Sequence, residues 1–216
     1  MNDADIVAFF ETLRAANAEP VSELEYASAF ELLAAVLLSA QATDRSVNKA
    51  TRSLFATAPT PQKMLDLGLP ALQSAIQSIG LFRTKAKNLY ATCRILVEKH
   101  GGQVPRTREA LESLPGVGRK TANVVLNSAF GDPTLAVDTH VFRVANRTGL
   151  AVGRTPLEVE LRLLVRVPEA FLANAHHWLI LHGRYVCLAR TPLCTRCAVA
   201  RWCDSAPVEP GRATKS

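Results

Sequence analysis

The chain has no long apolar run. Its longest nearly apolar stretch, FELLAAVLLSA at 30–40, falls well short of the ~18 residues that suggest a membrane span, so no membrane association is expected. A secretion signal is missing too: the N-terminal MNDADIVAFFETLRAANAEP is acidic and interrupted by Glu11 and Arg14, without the basic flank or unbroken apolar core such a signal needs. The expected address is cytoplasmic, and nucleoid-associated if the source is bacterial. Aromatic residues are scarce at 6%, and no stretch alternates apolar and polar residues as a half-buried strand would, which sets sheet architectures aside. Cysteine is nearly absent before residue 187, where Cys93 stands alone, and four cysteines then follow within the last thirty residues. A disulfide framework would spread them more evenly. Short repeats are lacking as well. The one segment without apolar anchors, SAPVEPGRATKS at 205–216, reads as a flexible tail.

Ala, Leu and a hydrophobic content of 48% over 216 residues can supply a substantial core and favour an all-α protein. Periodicity and breakers predict helices near 4–17, 29–39, 44–56, 62–66, 70–77, 84–99, 107–113, 119–130, 139–147, 156–166 and 169–186. In 84–99 the positions Ala86, Leu89, Tyr90, Cys93 and Leu96 share one face, which turns Cys93 inward as an inert thiol. Ser28-x-x-Glu31 predicts a capping box at the second helix. In GDPTLAVD (131–138), Gly131 and Pro133 break one helix and Asp138-Thr139 can cap the next, so a joint belongs there. Two lobes are expected: 22–132, carrying a helical hairpin at 107–130, and 1–21 with 133–204, carrying the cysteine loop. The formal charge of +6 makes nucleic acid the first candidate partner.

Chemistry concentrates in LESLPGVGRKTANVVLNSAF. A helix ends before Pro115, the chain turns through Gly116 and Gly118, and a second helix buries Ala122, Val125, Leu126 and Ala129. That leaves Lys120 outside the core, beside a helix N-terminus whose dipole disfavours positive charge. Glycines that admit a close backbone approach and exposed amides at a helix start suit a phosphate. For a bare G-x-G, an ordinary helix hairpin with a solvated lysine is the better reading.

Cys187-x6-Cys194-x2-Cys197-x5-Cys203 places four soft thiolates in one short segment and points to a metal. Zinc and a [4Fe–4S] cluster both accept four cysteines, and the spacing alone leaves the choice open.

The full pattern Leu114-Pro115-Gly116-Val117-Gly118-Arg119-Lys120-Thr121-Ala122 resembles the helix-hairpin-helix of DNA repair glycosylases. AVDTHVFRVANRTGL (136–150) resembles the segment that follows it there. Similarity extends to FELLAAVLLSAQATDRSVNKAT (30–51), HHWLILHGRYVC (176–187) and the terminal cysteines, and it is closest to the endonuclease III family of bifunctional glycosylases and abasic-site lyases. The resemblance implies an all-α, two-lobed fold that binds double-stranded DNA bearing a damaged pyrimidine or an abasic site, as a monomer.

It also implies roles for individual residues. Lys120 would be the nucleophile that attacks C1′, displaces the base and forms a Schiff base, with β-elimination cutting the strand. Bringing a lysine from about 10.4 to near neutrality takes roughly 4 kcal/mol, against about 0.3–1 kcal/mol from a helix end, so desolvation and Arg119 would supply most of the rest. Asp138 would stabilise charge on the sugar while also capping the 139–147 helix. Gln41 would plug the gap left by the flipped nucleotide, and Leu81 would wedge the opposite strand. Gly116, Val117, Gly118, Arg119, Thr121, His140 and Arg143 would contact DNA, and Glu112 and His140 would border the lesion pocket. Cys187, Cys194, Cys197 and Cys203 match the family's iron–sulfur loop and would hold a [4Fe–4S] cluster as a structural staple. The alternatives are a relative that removes another base, such as mispaired adenine, and a non-catalytic DNA-binding module stapled by zinc.

Overall fold

A computed structural model describes residues 1–206. Among them all regular structure is helical: α1 (Asp3–Ala16), α2 (Ala29–Ser39), α3 (Asp44–Thr57), α4 (Pro61–Leu67), α5 (Leu69–Ala75), α6 (Phe82–His100), α7 (Arg108–Glu112), α8 (Arg119–Phe130), α9 (Thr139–Thr148), α10 (Pro156–Arg166) and α11 (Glu169–Tyr185). Two single 3₁₀ turns follow at Cys194–Arg196 and Ala200–Trp202. None of these helices is long and apolar enough to cross a membrane. The expected tail falls largely outside the described residues, which end at 206; within them, the Ser205 amide still donates to the Arg147 carbonyl at 3.1 Å.

The chain forms two compact units, Ser22–Thr134 and Met1–Val21 joined with the chain from Leu135 on. In the first, the apolar stripes of α2, α3, α6 and α8 meet around Leu33, Leu38, Leu89, Leu96 and Val125. Cys93 is part of this core, with no exposed surface, and burial pushes its thiol up to about 12, so it stays protonated and unreactive. In the second unit, α1 packs on α11 through Phe9, Phe10, Phe171 and Trp178, with Phe10 stacked on Phe171 at 5.5 Å between ring centres. Trp178 Nε1 donates to the Asn17 carbonyl at 2.7 Å and so ties the end of α1 down. Truncating Phe10 to Ala there would cost about 3–5 kcal/mol.

Local capping explains most helix starts. Asn2, Ser28, Thr43, Thr60, Thr107, Asp138 and Thr155 each accept a hydrogen bond from a first-turn amide. The Ser28 box differs from expectation in one detail. Ser28 Oγ accepts from the Glu31 amide at 3.2 Å, but Glu31 reaches past the cap and accepts from the Ala27 amide at 2.7 Å. At the end of the Ser22–Thr134 unit, Gly131 in the left-handed conformation ends α8, and Asn127 Nδ2 donates to the Asp132 and Thr134 carbonyls. The linker is thereby folded onto the helix it leaves.

Candidate active site and nucleic-acid interface

Helices α6 and α8, both in the Ser22–Thr134 unit, start without a side-chain cap. At α8 the N-cap is Gly118, the first turn holds Arg119, Lys120 and Thr121, and no acidic residue offsets them. Lys120 is exposed, without a hydrogen-bond or ion-pair partner among the described residues. The turn before it is held from α6: Thr92 Oγ1 donates to the Pro115 carbonyl at 3.3 Å, and Asn88 packs so tightly on Gly116 that a Cβ there would lie 2.6 Å from its amide nitrogen.

The two glycines of the turn have different reasons. Gly116, at φ +78° and against Asn88, is required by the fold itself. Gly118 has φ −100° and open space where a Cβ would stand. Its missing side chain relieves nothing inside the protein and instead bares the backbone to whatever approaches from outside.

Val117 departs from expectation. Its side chain is buried in the core and its amide donates to the Leu114 carbonyl at 3.1 Å, so it shapes the turn. Glu112, one turn ahead, is exposed.

Gln41 and Leu81 are the two non-glycine residues at positive φ among the described residues, at 54° and 59°. That conformation costs an L-residue on the order of 1–2 kcal/mol. Leu81 is the N-cap of α6 and is 63% exposed, which excludes the ordinary role of a leucine stapled beneath a helix start. Both residues are exposed, and each carries the cost of a left-handed backbone.

In the other unit, Asp138 caps α9. A single oxygen, Oδ1, accepts from the amides of His140 and Val141, at 2.8 Å each. Among the described residues nothing donates to Oδ2, so capping engages one oxygen and leaves the other open. His140 Nδ1 lies 3.2 Å from Arg143 Nη2. Arginine can only donate, so Nδ1 accepts and the neutral ring carries its proton on Nε2.

Arg143 is the second departure. Its guanidinium donates to the carbonyls of Cys187 at 2.9 Å, Gly183 at 2.7 Å and Thr139 at 3.4 Å. Expected on the DNA, it is occupied within the protein, where it binds α9 to the end of α11.

The four C-terminal cysteines are unpaired thiols lining one pocket with Pro192 and Leu193. Burial pushes the Cys197 and Cys203 thiols up, and charge on the other cysteines pushes the same way. Four thiolates here therefore need cationic centres among them. Zinc, at ~2.3 Å from each sulfur, and an iron–sulfur cluster both accept such a four-cysteine set.

Residues 34–169 match the HhH-GPD superfamily base excision DNA repair proteins. The chain is 58% identical over 204 residues to endonuclease III of Haemophilus influenzae, and 56% identical over 204 residues to endonuclease III of Escherichia coli. Each match covers 94% of this chain and 97% of the relative. The chain belongs to the HhH-GPD superfamily.

Solved structures agree. A trapped endonuclease III–DNA covalent intermediate matches with a TM-score of 0.88 and 42% identity over 95% of this chain and 97% of that one. A thermostable thymine-DNA glycosylase matches at 0.79 with 25% identity, covering 94% of each chain.

Within this HhH-GPD chain the sequence reading passes over Arg147 and His182, which touch the cysteine sulfurs, and Asn88, which locks the hairpin turn. The available signal was modest: Arg147 stands four residues after Arg143 and therefore on the same face of α9.

Proposed function

We propose that the chain is a base-excision-repair DNA glycosylase that removes oxidised pyrimidines from duplex DNA and then acts as an abasic-site lyase. The carrying observation is Lys120: an exposed, unpartnered amine in the first turn of a helix with no side-chain cap, directly behind a turn whose second glycine bares the backbone. Phosphates flanking the lesion are received by the amides at the start of α8, with Arg119 and Thr121 beside them. The nucleotide leaves the stack, Gln41 fills the space, and Leu81 enters the opposite strand. Their left-handed backbones support this reading, since backbone strain gathers at working positions.

Lys120 Nζ attacks C1′ as the bond to the base breaks, with the electron pair leaving on the base. Loss of the amine proton and opening of the sugar ring give the Schiff base. Removal of a C2′ proton expels the 3′ phosphate, and water releases Lys120. Asp138 Oδ2 faces positive charge developing on the sugar while Oδ1 keeps the carboxylate fixed. His140, through Nε2–H, and Glu112 offer polar groups for reading the extruded base.

Cys187, Cys194, Cys197 and Cys203 hold a [4Fe–4S] cluster. The unpaired thiols, their shared pocket and the similarity to endonuclease III support it. When bound, the cluster supplies four metal–thiolate bonds that staple a loop with little apolar content. The protein acts as a monomer in the cytoplasm.

Borohydride in the presence of abasic-site duplex tests the central step. Reduction of the Schiff base is expected to leave the protein covalently joined to DNA, and an intact wild-type protein that yields no adduct overturns the lyase.

A further inference from the structure

Arg147 meets both ends of the cysteine loop. Its Nη1 donates to the Leu188 carbonyl at 2.7 Å and lies 3.6 Å from Cys187 Sγ, and its Nη2 donates to the Ala189 carbonyl at 2.7 Å. Its own carbonyl is 3.4 Å from Cys203 Sγ and accepts from the Ser205 amide at 3.1 Å. The first and last cysteines of the set are thus brought to one residue. One turn earlier on the same helix, Arg143 holds the Cys187 carbonyl. A second nitrogen approaches the sulfurs from α11: His182 Nε2 is 3.6 Å from Cys197 Sγ, and the His182 carbonyl accepts from the Val186 and Cys187 amides at 3.0 and 2.8 Å.

These bonds exceed what loop anchoring needs. Two backbone carbonyls would fix the loop's entry, yet Arg147 also places a cationic N–H on a ligand sulfur. An N–H directed at a thiolate stabilises its charge, strengthens its hold on metal and makes its displacement harder. Arg147 also sits at the last turn of α9, the helix whose first turn is fixed by Asp138. Ten residues of helix, about 15 Å, join the two.

We propose that Arg147 is a positioning residue that fastens the cysteine loop to α9, donates to Cys187 Sγ together with His182 at Cys197 Sγ, and through α9 makes the setting of Asp138 depend on that loop. This rests on the cluster and on the role of Asp138 proposed above. Loop disorder would release the C-terminal end of α9 and let its N-cap carboxylate wander, slowing bond breaking without loosening DNA.

The test uses the purified holoprotein with three variants. Arg147→Met removes all three donor contacts but keeps the aliphatic stem; Arg147→Lys keeps a cation that can make part of them; His182→Phe removes only the second sulfur donor. The readouts are iron and sulfide content, the rate at which the cluster's visible absorbance decays in air, the single-turnover excision rate and affinity for duplex carrying a non-cleavable abasic analogue. We expect absorbance to decay about tenfold faster in Arg147→Met, less in Arg147→Lys, and a few-fold faster in His182→Phe. In freshly loaded Arg147→Met, excision is expected to fall about tenfold with DNA affinity unchanged, and Arg147→Lys is expected to recover part of it. Equal decay in wild type and all three variants overturns the sulfur contacts. Faster decay with an undiminished excision rate overturns the link to Asp138. A wild type without iron and sulfide defeats the cofactor reading itself, a result distinct from either.

Discussion

Helices α8 and α9 begin in opposite ways. Gly118 starts α8 with no side-chain cap, and cations occupy its first turn; Asp138 starts α9 with a carboxylate that accepts from two amides. By helix electrostatics the second is the stabilising arrangement and the first is the poor one. The poor start is open on the outside: the Gly118 backbone is bare and Lys120 is unpartnered and exposed. The good start keeps one carboxylate oxygen in reserve. An end left unsatisfied by its own chain is available to a polyanion, while an end satisfied through one oxygen holds the other oxygen still.

Removing the amine should break the comparison most completely. Lys120→Gln is expected to abolish borohydride trapping and to lower strand cleavage by at least about 10²-fold. Its unfolding free energy should stay within the spread of neutral surface changes, about ±0.5 kcal/mol, because Lys120 is exposed and unpartnered among the described residues. Trapping assays and thermal unfolding on one preparation check both halves. A variant that still cross-links places the nucleophile elsewhere.

Asp138 allows cap and chemistry to be separated. In Asp138→Asn the amide oxygen still accepts from the His140 and Val141 amides but carries no charge, so excision is expected to fall about 10²–10⁴-fold with under about 1 kcal/mol lost in stability. Asp138→Ala loses both functions, with a further stability cost of about 1 kcal/mol by denaturant titration. Equal excision rates in Asn and wild type would leave Asp138 as a cap alone.

The two hairpin glycines should part in the same manner. Gly116→Ala is strained by φ +78° and crowded by Asn88, and is expected to cost more than about 1 kcal/mol. Gly118→Ala meets no atom of the protein, so its folding should be unchanged while affinity for abasic-analogue duplex weakens about tenfold, ~1.4 kcal/mol. Unchanged affinity would mean the bare backbone at Gly118 is not where DNA comes in.

How far the sequence could be read depends on how local each cause is. The helix starts at Thr43, Thr107, Asp138 and Thr155 follow from a cap residue and the apolar pattern after it, and the structure has those caps. Cys93 follows from periodicity alone. Arg143 and Arg147 were opaque because their partners lie about forty residues away, and no neighbouring residue announces which arginine turns inward. The burial of Val117 was hidden because a turn flanked by glycines looks uniformly open, whereas its own side chain belongs to the core. The left-handed backbones at Gln41 and Leu81 carried no local sign, since neither residue type favours that region and tertiary context imposes it.

Those last two residues give the sharpest contrast with a well-capped start. Glycine occupies the left-handed region without steric cost, so Leu81→Gly should relieve the strain at the α6 N-cap. Since 63% of the leucine surface already faces solvent, little packing is lost in exchange. Stability is expected to rise by up to about 1 kcal/mol, read as a higher denaturant midpoint. Excision from duplex should slow about tenfold, because glycine cannot enter the stack, while excision from a single-stranded or mismatched lesion, which needs little unstacking, should slow less. If the variant is stabilised and excises from both substrates at the wild-type rate, the strain has no bearing on flipping. If it is destabilised, the leucine is held by the fold after all, and the outward pose at α6 loses its functional meaning.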